Sequence, residues 1–186
     1  MKAVILNEEE LLKQCVKGDA RAQEFLFNQH YFDLYKIAMR YLSDHHHAED
    51  VIIQAFTRVF RSMKNFSYQG PGSLGKWIRT ILINEAIRAL KKKKLIQFSE
   101  NLTHLNVPNV EANALQQMQA ADLQRMIEKL PTGYRTVFNL YVVEGYSHRE
   151  IAHLLGISQN TSKTQLKKAR HHLINTLNVE NGYGTS

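Results

Sequence analysis

Outside its middle, the chain repeats apolar residues at spacings of three and four and nowhere sustains an apolar/polar alternation, so helices are expected and strands are not. Leu11, Leu12 and Cys15 mark a short first helix. Leu26, Tyr31, Leu34, Tyr35, Ala38 and Leu42 mark a second, and Ile52, Ala55, Phe56, Val59, Phe60 and Met63 line one face of a third that should pack against it. The loop FSYQGPGSLG, with three glycines and a proline, interrupts the pattern, which resumes through Trp77, Ile81, Ile83, Ile87 and Leu90 and ends in the basic run Lys91–Lys94. From Leu95 to about Gln119 the chain is rich in Asn and Gln, carries Pro108 and has no lysine or arginine, the composition of a linker. Helical spacing returns at Leu123, Met126, Ile127 and Leu130, stops at Pro131-Thr132-Gly133, and resumes at Val137, Phe138, Leu140 and Tyr141. The expected fold is all-α: two small helical domains, 1–94 and 123–178, joined by a flexible linker over 95–122 and followed by a tail at 179–186.

The stretch YSHREIAHLLGISQNTSKTQLKKARHHL holds two short amphipathic patterns broken by Gly-Ile-Ser. A helix-turn-helix needs a small residue where its helices cross, a turn residue that tolerates positive φ, and an apolar plug at the corner. Ala152, Gly156 and Ile157 supply these in order. Ile151, Leu154 and Leu155 give the first helix a buried side, and Leu166, Ala169 and Leu173 do the same for the second. At roughly 100° per residue, Asn160, Thr164, Lys167, Lys168 and His171 then point away from that core. Amides and cations on a protruding helix suit the major groove, where they can bond base edges and phosphates together. Ser162 departs from the pattern, since an apolar residue is expected under the second helix. Glu150 is read as a local cap or ion-pair partner, with orienting an arginine as the alternative.

Charge sharpens this picture. The 186 residues carry a formal +7, and 44% are hydrophobic, enough to build cores. Residues 1–94 hold 16 basic and 10 acidic side chains, 95–124 hold 0 and 3, and 125–186 hold 8 and 4. Two cationic parts flanking an acidic strap favour a polyanionic partner. The start MKAVILNEEELL lacks the features of a secretory signal and no run is apolar for the roughly 18 residues of a membrane span, so a soluble, cytoplasmic protein without membrane insertion is expected. The lone Cys15 reads as a packed helix residue. His45-His46-His47 with Glu49 and Asp50 do not offer zinc-ligand spacing, and nucleophile motifs and Gly-rich phosphate loops are missing. No enzyme activity, metal or cofactor is expected.

Three segments in order, HAEDVIIQAFTRVFRSMKNF, WIRTILINEAIRALKKKK and LPTGYRTVFNLYVVEGYSHREIAHLLGISQNTSKTQLKKARHHL, resemble bacterial RNA polymerase sigma factors of the extracytoplasmic-function class, which keep only conserved regions two and four. The resemblance spans roughly residues 10–94 and 123–178. It implies a factor that binds core RNA polymerase and directs initiation at promoters, with an anti-sigma protein as a further partner. Asp50, Ile53, Gln54 and Arg58 then take the place of the surface that grips the polymerase, although the family usually has Gln and Glu where this chain has Ile53 and Gln54. Phe66, Tyr68, Arg79, Asn84, Arg88, Lys91 and Lys92 take the place of the segment that reads and opens the minus-ten element and holds the melted non-template strand. Asn84 aligns with a family asparagine that contacts promoter DNA, and Trp77 is read as core rather than as a stacking platform. Gln159, Asn160, Lys163, Thr164, Lys167, Lys168 and Arg170 take the place of the helix that enters the minus-thirty-five duplex. The competing reading is a stand-alone helix-turn-helix regulator, which predicts a dimer on a palindromic site and leaves the WIRTILINEAIRALKKKK block unexplained.

Overall fold

Asn7, Asp19 and Asp44 each stand just before a helical pattern, and there the first three helices begin. Asn7 Oδ1 accepts the Glu10 N–H at 2.7 Å, Asp19 Oδ1 accepts those of Arg21 and Ala22, and Asp44 Oδ1 accepts that of His47. Each such cap is worth about 1 kcal/mol to its helix. The computed structural model describes residues 7–92 and 120–180, with side chains described from 123 to 177 in the second span. Most of the expected linker, Lys93 and Lys94, and most of the expected tail lie outside the described residues. Within them are eight α-helices and no strand: α1 Glu8–Val16, α2 Ala20–Leu42, α3 His45–Ser62, α4 Ser73–Lys92, α5 Ala120–Lys129, α6 Thr132–Phe138, α7 His148–Leu155 and α8 Gln159–Glu180. The chain divides into two compact units with the break after Ala89.

In the first unit α2 and α3 form a hairpin. Ser43 takes left-handed backbone at φ 52 to end α2, and Asp44 immediately caps α3. Ala48, Val51, Ile52, Ala55, Phe56 and Val59 make a continuous buried stripe on α3, facing Leu26, Leu34, Ile37, Ala38 and Tyr41 of α2. Spacing anticipated Ile52, Ala55, Phe56 and Val59 on α3 and Leu26, Leu34, Ala38 and Leu42 on α2, but Ile37 and Tyr41 are buried on α2 while the expected Tyr31 and Tyr35 are only half-buried. On α4 the phase differs from expectation: Leu74, Ile78, Leu82, Ile83, Ala86 and Ile87 are buried, while Trp77 and Ile81 are only half-buried. That helix is apolar on two adjacent flanks, so periodicity alone could not decide which flank faces the core.

Leu11, Leu12 and Cys15 bury the inner side of α1. Burial pushes the Cys15 thiol up to about 11, with the Asp19 charge adding to it. At pH 8 a thiol of that pKa is about one part in a thousand thiolate, and the thiolate is the nucleophile. A maleimide is therefore expected to label the native chain at least tenfold more slowly than the same chain in denaturant at that pH. Equal rates would mean that Cys15 is not packed.

In the second unit Pro131 separates α5 from α6, and Arg135 closes the corner between them. Its Nη1 donates to the carbonyls of Glu128 (2.7 Å) and Leu130 (3.2 Å), which α5 leaves open at its end. α6 runs into a wide π-turn at Asn139–Val143. α8 packs across α6 and α7, burying Leu166, Ala169, Leu173, Ile174 and Leu177 against Val137, Phe138, Leu140, Ile151 and Leu155.

Candidate nucleic-acid interface

The outer side of α3 follows from its buried stripe. Asp50, Ile53, Gln54 and Arg58 are exposed on it, Ile53 to 61%. The three histidines that open the helix diverge: His45 Nδ1 pairs with the Tyr35 hydroxyl, His47 Nδ1 lies 3.2 Å from Asp44 Oδ1, and His46 is exposed.

Arg58 does not stand alone. Its Nε lies 2.8 Å from Glu85 Oε1 on α4, and Arg88 Nη1 lies 3.0 Å from the same oxygen. The Glu85 side chain is 8% exposed, so one nearly buried carboxylate ties a candidate polymerase-facing cation to a candidate DNA-facing one. Glu85 escaped the sequence reading, although it is the one acidic residue between Asp50 and Glu100.

Along the outer side of α4, Lys76, Thr80, Asn84, Arg88 and Lys92 recur every fourth residue, and Lys91 lies beside the last of them. All are exposed except Asn84, which is half-buried, as is Arg79. Spacing of four from Asn84 would have found Lys76 and Thr80, which the sequence reading omitted. In the preceding loop the Phe66 ring packs on Trp77 with centroids 4.7 Å apart, so Trp77 serves as the floor for a loop aromatic and not as core alone. Tyr68 is half-buried; burial first, then the charges of Glu8 and Glu9, raise its hydroxyl above the usual tyrosine value.

The helix-turn-helix has the local structure its residues demand. Ser147 and Glu150 form a reciprocal cap on α7: the Ser147 N–H donates to Glu150 Oε2 at 2.8 Å, and the Glu150 N–H donates to Ser147 Oγ at 3.3 Å. The side-chain hydrogen bond from Ser147, then the backbone one, holds the Glu150 carboxyl below its ordinary value. Gly156 takes φ 72, and its N–H and that of Ile157 both donate to the Ala152 carbonyl, ending α7 in a left-handed turn. Ser158 Oγ accepts the Thr161 N–H at 2.9 Å to start α8.

Ser162 is fully buried, and a buried hydroxyl needs a partner. His148 supplies it, with Nδ1 2.9 Å from Ser162 Oγ, while its ring stacks on Tyr141 at 4.4 Å. A polar pair thus replaces the apolar contact expected under α8. Burial, then the charges of Lys163 and Arg170, lower the His148 imidazole below its ordinary value.

On α8, Gln159, Asn160, Lys163, Lys167 and Arg170 are exposed, and Thr164 and His171 are half-buried. Lys168 corrects the expectation, because it is 9% exposed and not outward. A wheel for α7 on α8 counts only that one packing, and Lys168 lies with the fully buried Gln165 on a further flank that is also covered. A lysine tolerates this because its four-carbon stem packs as an apolar chain. Gln165 Oε1 and Nε2 have no hydrogen-bond partner among the described residues, a cost of order 1–3 kcal/mol. No acidic residue lies between Glu150 and Glu180, so the charge on the exposed side of α8 from Gln159 to Arg170 comes from Lys163, Lys167 and Arg170 alone.

Sigma-70 region 2 matches residues 26–96, and Sigma-70, region 4 matches residues 120–173. The ECF RNA polymerase sigma factor SigE of Mycolicibacterium smegmatis is 29% identical over 153 residues, 80% of this chain but 58% of that relative, so the chain spans less than two thirds of its length. SigM of Mycobacterium tuberculosis is 26% identical over 94% of this chain and 87% of its own, and SigW of Bacillus subtilis is 28% identical over 87% and 92%. The solved structure of CnrH in complex with the cytosolic domain of CnrY superposes with a TM-score of 0.49 at 24% identity, covering 91% of this chain and 96% of that one. With region 2 and region 4 in one chain, in that order, the protein belongs to the sigma-70 family of bacterial RNA polymerase sigma factors, in the extracytoplasmic-function class.

Proposed function

We propose that this chain binds core RNA polymerase and directs promoter-specific initiation, with the segment 1–94 engaging the polymerase and the minus-ten element and the segment 123–178 engaging the minus-thirty-five element. The observation that carries the reading is the presence of both sigma-70 regions in a single chain. The outward face of α3, with Asp50, Ile53, Gln54 and Arg58, suits a polymerase contact, because an exposed isoleucine among polar neighbours is the mixture a protein interface uses. The loop aromatics Phe66 and Tyr68 and the α4 stripe around Asn84 suit an unpaired strand, whose bases stack and whose phosphates need cations. The exposed side of α8 suits duplex DNA, with Lys163, Lys167 and Arg170 for phosphates and Gln159 and Asn160 for base edges.

Joining two weak modules by a linker raises the effective concentration of the second once the first is bound. On this reading the chain is an initiation factor and not an enzyme. It works in the cytoplasm, where the polymerase is, and an anti-sigma protein that covers both modules restrains it. Among the described residues no helix is long and apolar enough to cross a membrane. A stand-alone regulator would use only the helix-turn-helix and leave the region 2 match without a purpose.

Purified chain, core polymerase and a library of upstream fragments provide the test, and initiation at defined sites is the expected result. Failure to bind core polymerase and to start specific transcripts would sink the reading. A Lys167→Glu chain is expected to lose about tenfold or more of its minus-thirty-five-dependent transcription with core affinity unchanged, because reversing one phosphate-facing charge removes roughly two unit charges from the salt-sensitive contact. A parallel loss of polymerase affinity would move Lys167 out of the DNA interface.

A further inference from the structure

The first N–H groups of a helix have no partner within it, and a loop rich in glycine has little to hold its shape. Both problems meet where the loop Phe66–Gly75 enters α4. Gly70 and Gly72 sit at φ 102 and 81, positive values that glycine reaches without strain, and with no side chain at either the loop needs an outside tie to fix its shape. Within the loop, Ser73 Oγ accepts the Gln69 N–H at 3.2 Å and donates to the Gly70 carbonyl at 2.7 Å, a local clasp only.

The long-range tie comes from α1. Glu8 Oε2 accepts the Gly72 N–H at 2.5 Å, and Glu8 Oε1 accepts the Leu74 N–H at 2.8 Å. One carboxylate, 64 residues away in sequence, thus takes two of the donors that open α4. α2 closes the other side: a methyl group on Gly75 would lie 3.3 Å from His30 Cε1, so the first turn of α4 sits close against that ring, which would have to give by a few tenths of an ångström for a larger residue.

We propose that Glu8 is a positioning residue for the minus-ten reading segment, holding the loop and the start of α4 so that Phe66 and Tyr68 face bases while the helix N-terminus is closed to phosphates. This rests on the reading of that loop as the minus-ten reader. The second half follows from charge. An unoccupied helix N-terminus is an anion site, and backbone phosphates arrive in the same place as bases. With a carboxylate already seated there, phosphates are turned toward Lys76, Arg88, Lys91 and Lys92 along α4, and the loop is left for sequence. Glu8 therefore favours binding to the preferred minus-ten sequence and not binding to DNA in general.

The test uses holoenzyme assembled with wild-type, Glu8→Gln or Glu8→Ala chains, and two single-stranded-tailed fork DNAs carrying either the preferred or a scrambled minus-ten element. The ratio of the two affinities is expected to fall about tenfold for Glu8→Ala and to a lesser degree for Glu8→Gln, which keeps one acceptor oxygen. The fall should come from weaker binding to the preferred fork, with binding to the scrambled fork unchanged or tighter because the freed N–H groups donate to phosphate. Core affinity should match wild type. An unchanged ratio would overturn the proposal, as would losses on both forks in step with a fall in core affinity, the signature of a destabilised unit. Wild-type holoenzyme that shows no preference between the forks would instead overturn the assignment of the loop, a separate failure from that of Glu8.

Discussion

Holoenzyme carrying an Asn84→Ala chain is expected to dock on a promoter normally and to open it about tenfold to a hundredfold less well. Asn84 lies midway along the α4 stripe, one turn from Thr80 and one from Arg88, half-buried and therefore held in a restricted set of rotamers. An amide placed this way can bond the edge of an unpaired base, a contact it cannot make while that base is paired. Such contacts are worth roughly 1–3 kcal/mol each, and 1.4 kcal/mol is a factor of ten. The loss should therefore appear in the opening step and not in the encounter, where Lys76, Arg88 and the lysines at the end of α4 still meet phosphates. Permanganate reactivity of melted thymines, measured beside core affinity and closed-complex formation, separates these steps. Normal reactivity would remove Asn84 from the reading of the opened strand.

An Ile52→Ala chain is expected to lose about 2–5 kcal/mol of stability in its first unit, the range for deleting a buried isoleucine side chain that its neighbours cannot collapse upon. Ile52 is fully buried in the α3 stripe, beside Ala48, Ala55 and Phe56 and against α2, whose own core residues Leu26, Ala38 and Tyr41 are also fully enclosed. A module of this size has only about 5–15 kcal/mol in total, and each kcal/mol shifts its midpoint by roughly 4–8 °C. Trp77, the one tryptophan, lies in the same unit and reports on it alone. Its fluorescence transition should move down by at least about 8 °C. A shift of less than about 4 °C would mean that the α2–α3 seam is not the load this unit rests on. Ile52 is fully buried, whereas the exposed Ile53 stands roughly 100° further round α3, so polymerase affinity measured well below the transition should be nearly unchanged.

What could be read from residues alone was whatever depends on near neighbours. Gly156 announced a left-handed turn because only positive φ suits that corner, and it stands at φ 72. Glu150, three residues after Ser147, was legible as a local cap because a capping box needs nothing beyond its own four residues. The stripe of α3 was legible because that helix is apolar mainly on one face; that of α2, where Phe25 and Phe32 are apolar yet exposed while Ile37 and Tyr41 are buried, was legible only in part. α4 was not, since Trp77 and Ile81 compete with Ile78 and Leu82 for the core and only the packing partner chooses between them. Ser162 looked like a defect until His148, fourteen residues earlier, was found beside it.

Helix positions, the turn chemistry, the uneven charge and the three family segments were determined by the sequence itself, because each arises from interactions over a few residues or from composition. Tertiary structure alone decided that Glu8 caps α4, that Arg58 and Arg88 share Glu85, and that Lys168 and Gln165 are covered while Lys167 is open. These depend on which surfaces meet after the chain has folded back on itself. A helical period records which residues share a face, but it carries no record of what that face will touch.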